Sequence, residues 1–212
     1  MHVETFAVGP LGCNCSIIAD LEAKEAIVVD PGGDEPMIRA ALERLGVVPT
    51  AIVHTHTHID HFGATAPLQR AYGVSAKIHE LDRPLFDAAP MQAAFLRIAT
   101  PELAQMDGDL VDSGTLRFGK HELCVLHTPG HTPGSCSFLV NSDDGSSHVF
   151  TGDTLFRRGI GRTDLWGGNF EQIMKSLRDK LLTLPGDAIV VAGHGDNTTI
   201  GDEVRTNPFL RR

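Results

Sequence analysis

Val53-His54-Thr55-His56-Thr57-His58-Ile59-Asp60-His61 crowds four histidines and an aspartate into eight residues. Burying so many imidazoles with a carboxylate is costly unless a cation binds them. The competing reading is a solvated polar loop, because short His-rich tracts can be incidental. Thr50 to Val53, just upstream, has the composition of a buried strand, and apolar spacing is helical from His61 to Tyr72. The cluster is therefore expected on a strand-to-helix loop, at the carboxyl end of a strand, where mixed α/β folds place their sites.

Three more metal-type side chains follow strand-like runs. His131 lies in Thr128-Pro129-Gly130-His131-Thr132-Pro133-Gly134, Asp153 in Thr151-Gly152-Asp153-Thr154, and His194 in Gly193-His194-Gly195. Each is flanked by glycine or proline, whose turns can hold a side chain in place. Any one alone is weak; the four segments together point to a metal site. Imidazoles and carboxylates without thiolates suit Zn²⁺, Mn²⁺ or Fe²⁺ and argue against a purely structural zinc.

Around these turns, strand-type runs recur as VETFAV, CSIIAD, AIVVD, TAIVHT, SAKIHE, LRF, HELCVLHT, SCSFLV, HVFTGD and AIVVAG. Helical spacing occupies Glu35 to Leu45, His61 to Tyr72 and Phe170 to Leu184, with a shorter stretch from Pro90 to Ile98. Some strands read as buried on both faces and others alternate, which two mixed sheets packed face to face with helices outside would satisfy. The expected class is α/β (mixed α+β), as one domain over 1–212. The formal net charge of −9 argues against nucleic acid as the main partner. No signal-like leader or bilayer-length apolar run is visible, so no membrane and a cytoplasmic location are expected. Cys13, Cys15, Cys124 and Cys136 form no C-x-x-C pair and read as free thiols. The Cys13–Cys15 pair, at strand spacing, reads as ordinary packing rather than as a metal site.

The H-x-H-x-D-H stretch at 56–61, the TPGHT, GDT and GH turns, and the early Asp30-Pro31-Gly32-Gly33 turn together resemble the metallo-β-lactamase superfamily along nearly the whole chain. Gly161-Arg162-Thr163-Asp164 is similar to the glyoxalase II branch and its persulfide dioxygenase relatives. The tail from Gly193 to Leu210 is similar to short bacterial hydroxyacylglutathione hydrolase-like proteins. The resemblance implies an αββα sandwich with two divalent metals, zinc foremost and iron or manganese also fitting. His56, His58 and His131 would hold one metal, and Asp60, His61 and His194 the other, with Asp153 bridging. Asp30 would orient a ligand, and His54 is read as supporting or structural. Arg162 either binds a substrate carboxylate or, the favoured reading, pairs with Asp164 to brace its loop.

The implied reaction is glyoxalase II-like hydrolysis of a small-molecule acyl thioester by a metal-bridging hydroxide, with Asp60 and Asp153 orienting it. A thiolate leaves with little acid assistance, and no separate protein nucleophile is evident. Two departures stand out. The chain stops at Arg212, where glyoxalase II continues into a helical glutathione-binding domain, and Gly195-Asp196 replaces the family's Glu-Tyr. A thiol carrier other than glutathione is therefore open. The rival readings are a mononuclear iron persulfide dioxygenase and a metallohydrolase of another ester or lactone. Leu81 to Asp109 reads equally as a lid or as an external packing helix.

Overall fold

The computed structural model describes residues 1–211 and all their side chains except that of Asp107. Arg212, the last residue of the expected domain, lies outside them. The first half runs β1 (His2–Val8), β2 (Cys13–Asp20), β3 (Glu25–Val29), α1 (Glu35–Leu45), β4 (Val48–Val53), a 3-10 turn (Ile59–His61), α2 (Thr65–Tyr72) and β5 (Ser75–Ile78). A second 3-10 turn (Glu80–Asp82), α3 (Arg83–Asp87), α4 (Ala89–Leu96) and β6 (Met106–Asp109) complete it. The second half runs β7 (Thr115–Phe118), β8 (His121–His127), β9 (Cys136–Asn141), β10 (Ser147–Gly152) and a small hairpin, β11 (Leu155–Phe156) with β12 (Gly159–Ile160). It ends with α5 (Phe170–Ser176), a π-turn (Leu177–Leu181), β13 (Ile189–Ala192), β14 (Thr198–Thr199) and α6 (Ile200–Thr206).

The strands build two six-stranded mixed sheets, ordered β1-β2-β3-β4-β5-β6 and β14-β13-β10-β9-β8-β7. Successive side chains of a strand point to opposite faces, and β3 shows what this does. Ile27 and Val29 face the other sheet and pack with Val53, Phe118, Phe138, Phe150 and Val191. Ala26 and Val28 face outward onto Ile38 and Leu42 of α1 and Leu68 of α2. On the second sheet, Val149 and Val190 face outward onto Ile173, Leu177 and Ile200. Helix, sheet, sheet, helix is thus the layering, and the expected αββα class is the observed one. Both sheets are apolar on both faces, which is why so many of their strands read as continuous apolar runs.

α1 occupies the residues its periodicity marks, with Pro36 in the first turn and Gly46 ending it in the left-handed conformation. The helix expected from His61 starts at Thr65 instead. His61 is held in a 3-10 turn, and the Ala64 N–H donates to the Pro31 carbonyl at 2.8 Å, so tertiary contacts delay the α geometry. The helix expected over Phe170 to Leu184 relaxes into the π-turn after Ser176. α3, β6, the β11–β12 hairpin, β14 and α6 are additions to the expected set. No helix among the described residues is long and apolar enough to cross a membrane.

Candidate metal centre

Four loops meet at one rim of the sandwich, each leaving the carboxyl end of a strand. The 54–61 loop follows β4 in the first sheet; the loops carrying His131, Asp153 and His194 follow β8, β10 and β13 in the second. They bring together all seven residues expected to bind metal. Three donor sets form, His56–His58–His131, His56–His61–Asp153 and Asp60–His61–His194, with the ligand atoms of each set within 4.8 Å of one another. Asp153 lies between the outer two sets. Its Oδ2 is 3.6 Å from His131 Nε2, and its Oδ1 is 3.6 Å from His61 Nε2 and 3.9 Å from His194 Nε2.

Hydrogen bonds behind the rings fix which nitrogen faces the centre. Asp30 Oδ1 accepts the Thr55 N–H at 2.7 Å, and Oδ2 accepts the Thr55 hydroxyl at 2.6 Å and His61 Nδ1–H at 3.0 Å. Because the Thr55 proton goes to Asp30, its oxygen accepts His56 Nδ1–H at 3.1 Å. One buried aspartate thus sets the tautomers of two histidines, turning both Nε2 lone pairs inward. His131 Nδ1–H donates to the Arg162 carbonyl at 2.9 Å, with the same result. His58 presents Nδ1 instead, 3.0 Å from His56 Nε2 and 2.9 Å from His131 Nε2.

These contacts test whether a cation fits. His56 and His131 have committed their protons outward, so two lone pairs converge on His58 Nδ1, which can donate to only one of them. His61 Nε2 and Asp153 Oδ1 are buried without a hydrogen-bond partner. Buried acceptors left unpaired are costly and rare. A cation bound among them satisfies every one, so the donor set fits the group.

Protonation separates the two outer sets. Burial, then the His131 and His61 imidazoles, pushes His58 down to about 3, and burial with its histidine neighbours pushes His56 down too. Burial opposes ionisation of Asp60, but His61 and His194 outweigh it and hold the carboxyl below its ordinary value. His194 is raised, chiefly by Asp60, whose Oδ2 lies 3.2 Å from its Nε2.

The backbone approaches closely around these groups. A Cβ on Gly32 would lie 1.7 Å from the Asp60 carbonyl oxygen, which explains the glycine in the Asp30-Pro31-Gly32-Gly33 turn. On Gly193 it would lie 2.3 Å from Asp153 Oδ1 and 2.9 Å from His61 Cε1. Asn14 of β2 donates through Nδ2 to the carbonyls of Ala192 and Gly195, both at 2.9 Å, and holds the His194 loop.

His54 sits outside all three sets. Its Nδ1–H donates to the Lys77 carbonyl at 3.1 Å and its Nε2 accepts the Thr65 hydroxyl at 2.8 Å, so it joins the loop to β5 and α2. Cys13 belongs to no donor set; its Sγ is 3.5 Å from His61 Nδ1, behind the ring, and burial raises its thiol to about 11. Arg162 donates from Nε and Nη2 to the two Asp164 oxygens at 2.8 and 2.9 Å, which is the bracing arrangement.

Three residues that sequence reasoning missed shape the centre. Asp82 is fully buried and links two ligand loops. Its Oδ2 accepts the Thr57 N–H at 3.0 Å and the Thr132 hydroxyl at 2.9 Å, and its Oδ1 accepts the Gly134 N–H at 2.6 Å. Gln92 of α4 accepts the Ile59 N–H at 2.9 Å and donates to the Thr57 carbonyl at 3.1 Å. Trp166 walls the cavity over the metal residues, about 210 Å³ in volume, with Leu11, Phe95, Leu96 and Leu165. Proline spacing in TPGHTPG hints that its loop is braced, but nothing local to Asp82 or Gln92 singles them out. The Leu81–Asp109 stretch packs on the core and also reaches the cavity. Phe86, Ala89 and Ala93 pack into the core, while Phe95 and Leu96 border the cavity.

A model of the metallo-beta-lactamase superfamily matches residues 8–194, and the chain belongs to that superfamily. Hydroxyacylglutathione hydrolase GloC of Haemophilus influenzae is 39% identical over 212 residues, covering 99% of this chain and 98% of that protein. The solved structure of the B3 metallo-beta-lactamase BLEG-1 superposes with a TM-score of 0.90 at 34% identity, covering 99% of both chains. TTHA1623 in a di-iron-bound form gives 0.87 at 38% identity, covering 98% of this chain and all of that one.

Proposed function

We propose that this chain is a binuclear metallohydrolase of acyl thioesters, of the hydroxyacylglutathione hydrolase type. The observation that carries the reading is Asp153, with one carboxylate oxygen toward His131 and the other toward His61 and His194. His56, His58 and His131 would hold one divalent metal and Asp60, His61 and His194 the other. Bound there, the two cations would bring the pKa of water toward neutrality and polarise an acyl carbonyl. Asp60 and Asp153 act as acceptors that orient the attacking water. Leu11, Phe95, Leu96 and Trp166 shield the acyl group from bulk solvent. The likeness to GloC supports the thioester class.

A second reading, opening of a β-lactam, draws on the likeness to BLEG-1. An amine leaving group needs a proton, whereas a thiolate leaves without one, and among the described residues lining the cavity no acid stands outside the ligand set. Zinc and iron both suit these ligands, and TTHA1623 carries iron. The deciding experiment measures metal per chain on fresh protein together with hydrolysis of S-lactoylglutathione, other thioesters and a β-lactam. Two metals per chain and thioester hydrolysis lost in His58→Ala are expected. One iron per chain with oxygen consumed on glutathione persulfide would instead make the chain a persulfide dioxygenase.

A further inference from the structure

A second cavity of about 350 Å³ adjoins the one over the metal residues, and Trp166 belongs to the walls of both. Leu81 of the second 3-10 turn with Leu85, Ala88 and Met91 of the α3–α4 segment form one side, and Pro133 and Gly167 help close the other. Phe95 and Trp166 meet edge to face at the junction, with ring centroids 6.0 Å apart. The surface here is unusually apolar. Leu81, Met91, Phe95 and Trp166 are 49, 60, 66 and 41% exposed, although large side chains of this kind are seldom left in a contiguous exposed patch without a ligand or partner. Cations are scarce as well. Arg162 is the single Lys or Arg among the described residues lining either cavity, and Asp164 already holds it with two hydrogen bonds.

We infer that this cavity is an acyl-chain subsite, which takes the extended aliphatic arm of a thioester whose carbonyl lies over the metal residues. The inference rests on the hydrolase reading above and narrows its substrate class. Trp166 lines both cavities, so an arm leaving the carbonyl would reach the second one by passing the Phe95–Trp166 ring pair and would then lie among Leu81, Leu85, Ala88 and Met91. A carrier with several carboxylates, by contrast, meets one cation that is already engaged.

The test uses thioesters of one thiol with acetyl, butyryl, hexanoyl and octanoyl groups. Burying each added methylene should raise kcat/KM about fourfold until the cavity is filled. Ala88→Phe, which fills the cavity from the turn between α3 and α4, should flatten the series; Met91→Lys at the exposed rim should do so with little demand on folding. Trp166 is the one tryptophan in the chain, so its fluorescence reports occupancy without turnover. The unreactive S-octyl thioether of the same thiol should shift its emission in the wild type and not in Ala88→Phe. An emission shift without thioester hydrolysis would refute the hydrolase reading and keep the apolar subsite. Thioester hydrolysis indifferent to chain length, with Trp166 emission unmoved, overturns the inference. A concentration-dependent dimer in which Trp166 is already shielded from a quencher, again with a flat series, assigns the patch to a second copy and also overturns it.

Discussion

Replacing Asp82 by alanine should cost several kcal/mol of stability, about 3–5. The carboxylate is fully buried and accepts three hydrogen bonds, from Thr57, Thr132 and Gly134. Its removal strands two buried backbone donors, the Thr57 and Gly134 N–H groups, each worth about 1–3 kcal/mol when left unpaired, while the Thr132 hydroxyl keeps Ser135 Oγ at 2.8 Å. Part of this is offset, because burying the carboxylate is itself unfavourable, as its raised pKa shows. Breaking a buried charged network typically costs ~3–5 kcal/mol, and that is the expected net loss. For a chain of this size it corresponds to a fall in Tm of about 6–20 °C. Thermal and urea unfolding of the metal-free protein measures it without a contribution from cation loss. Asp82→Asn should fall between, since an amide turns one acceptor into a donor facing another donor. In the metal-loaded protein, Asp82→Ala should also weaken metal binding about 10–100-fold, because it frees the His58 loop from the His131 loop. A metal-free Asp82→Ala protein within ~1 kcal/mol of wild type would refute the view that this carboxylate holds the two loops together.

Three further outcomes are expected. Gly193→Ala places a methyl against Asp153 Oδ1 and His61; metal per chain should drop while far-UV circular dichroism stays native, and full loading with wild-type activity would contradict the close approach. Asp164→Asn releases Arg162, so KM for S-lactoylglutathione should fall with little change in kcat or Tm; an unchanged KM would leave Arg162 a loop brace alone. His56 and His58 are pushed down, whereas His194 is raised, so protons should displace a cation from Asp60–His61–His194 at a higher pH than from His56–His58–His131. Acidification should therefore release metal in two steps, the first as pH falls through the histidine range and the second only further down, toward the value of about 3 for His58; a single step would contradict it.

Most of the ligand loops were legible because their signals are local. An apolar strand, a glycine or proline and a metal-type side chain follow one another within a few residues at His131, Asp153 and His194. The Asp30 interaction was legible only through family likeness, since the Thr55 and His61 contacts that give it meaning span 25 and 31 residues. Asp82 and Gln92 had no such aid. Their partners come from distant loops, and an isolated Asp or Gln near a helix start looks like any surface residue. α6 carried a readable signal that went unused, for Thr199 caps it by accepting the Asp202 N–H at 3.1 Å. The late start of α2 was beyond reach, because the contacts that hold His61 and Ala64 come from Asp30 and Pro31.

The division of ligands between the sheets has a consequence for how the molecule matures. His56 and His58 come from the loop after β4 and His131 from the loop after β8; Asp60 and His61 come from the first loop and His194 from the loop after β13. Each outer set draws two donors from one half of the chain and one from the other, so neither half holds a whole set. On the proposed assignment, cation capture would therefore work as a coincidence detector for assembly. A nascent chain with only its first sheet formed offers at most a pair of imidazoles or an imidazole with a carboxylate to either position. Tight uptake would wait until both sheets have docked and would then lock the seam between them, so a loaded centre would certify a finished sandwich.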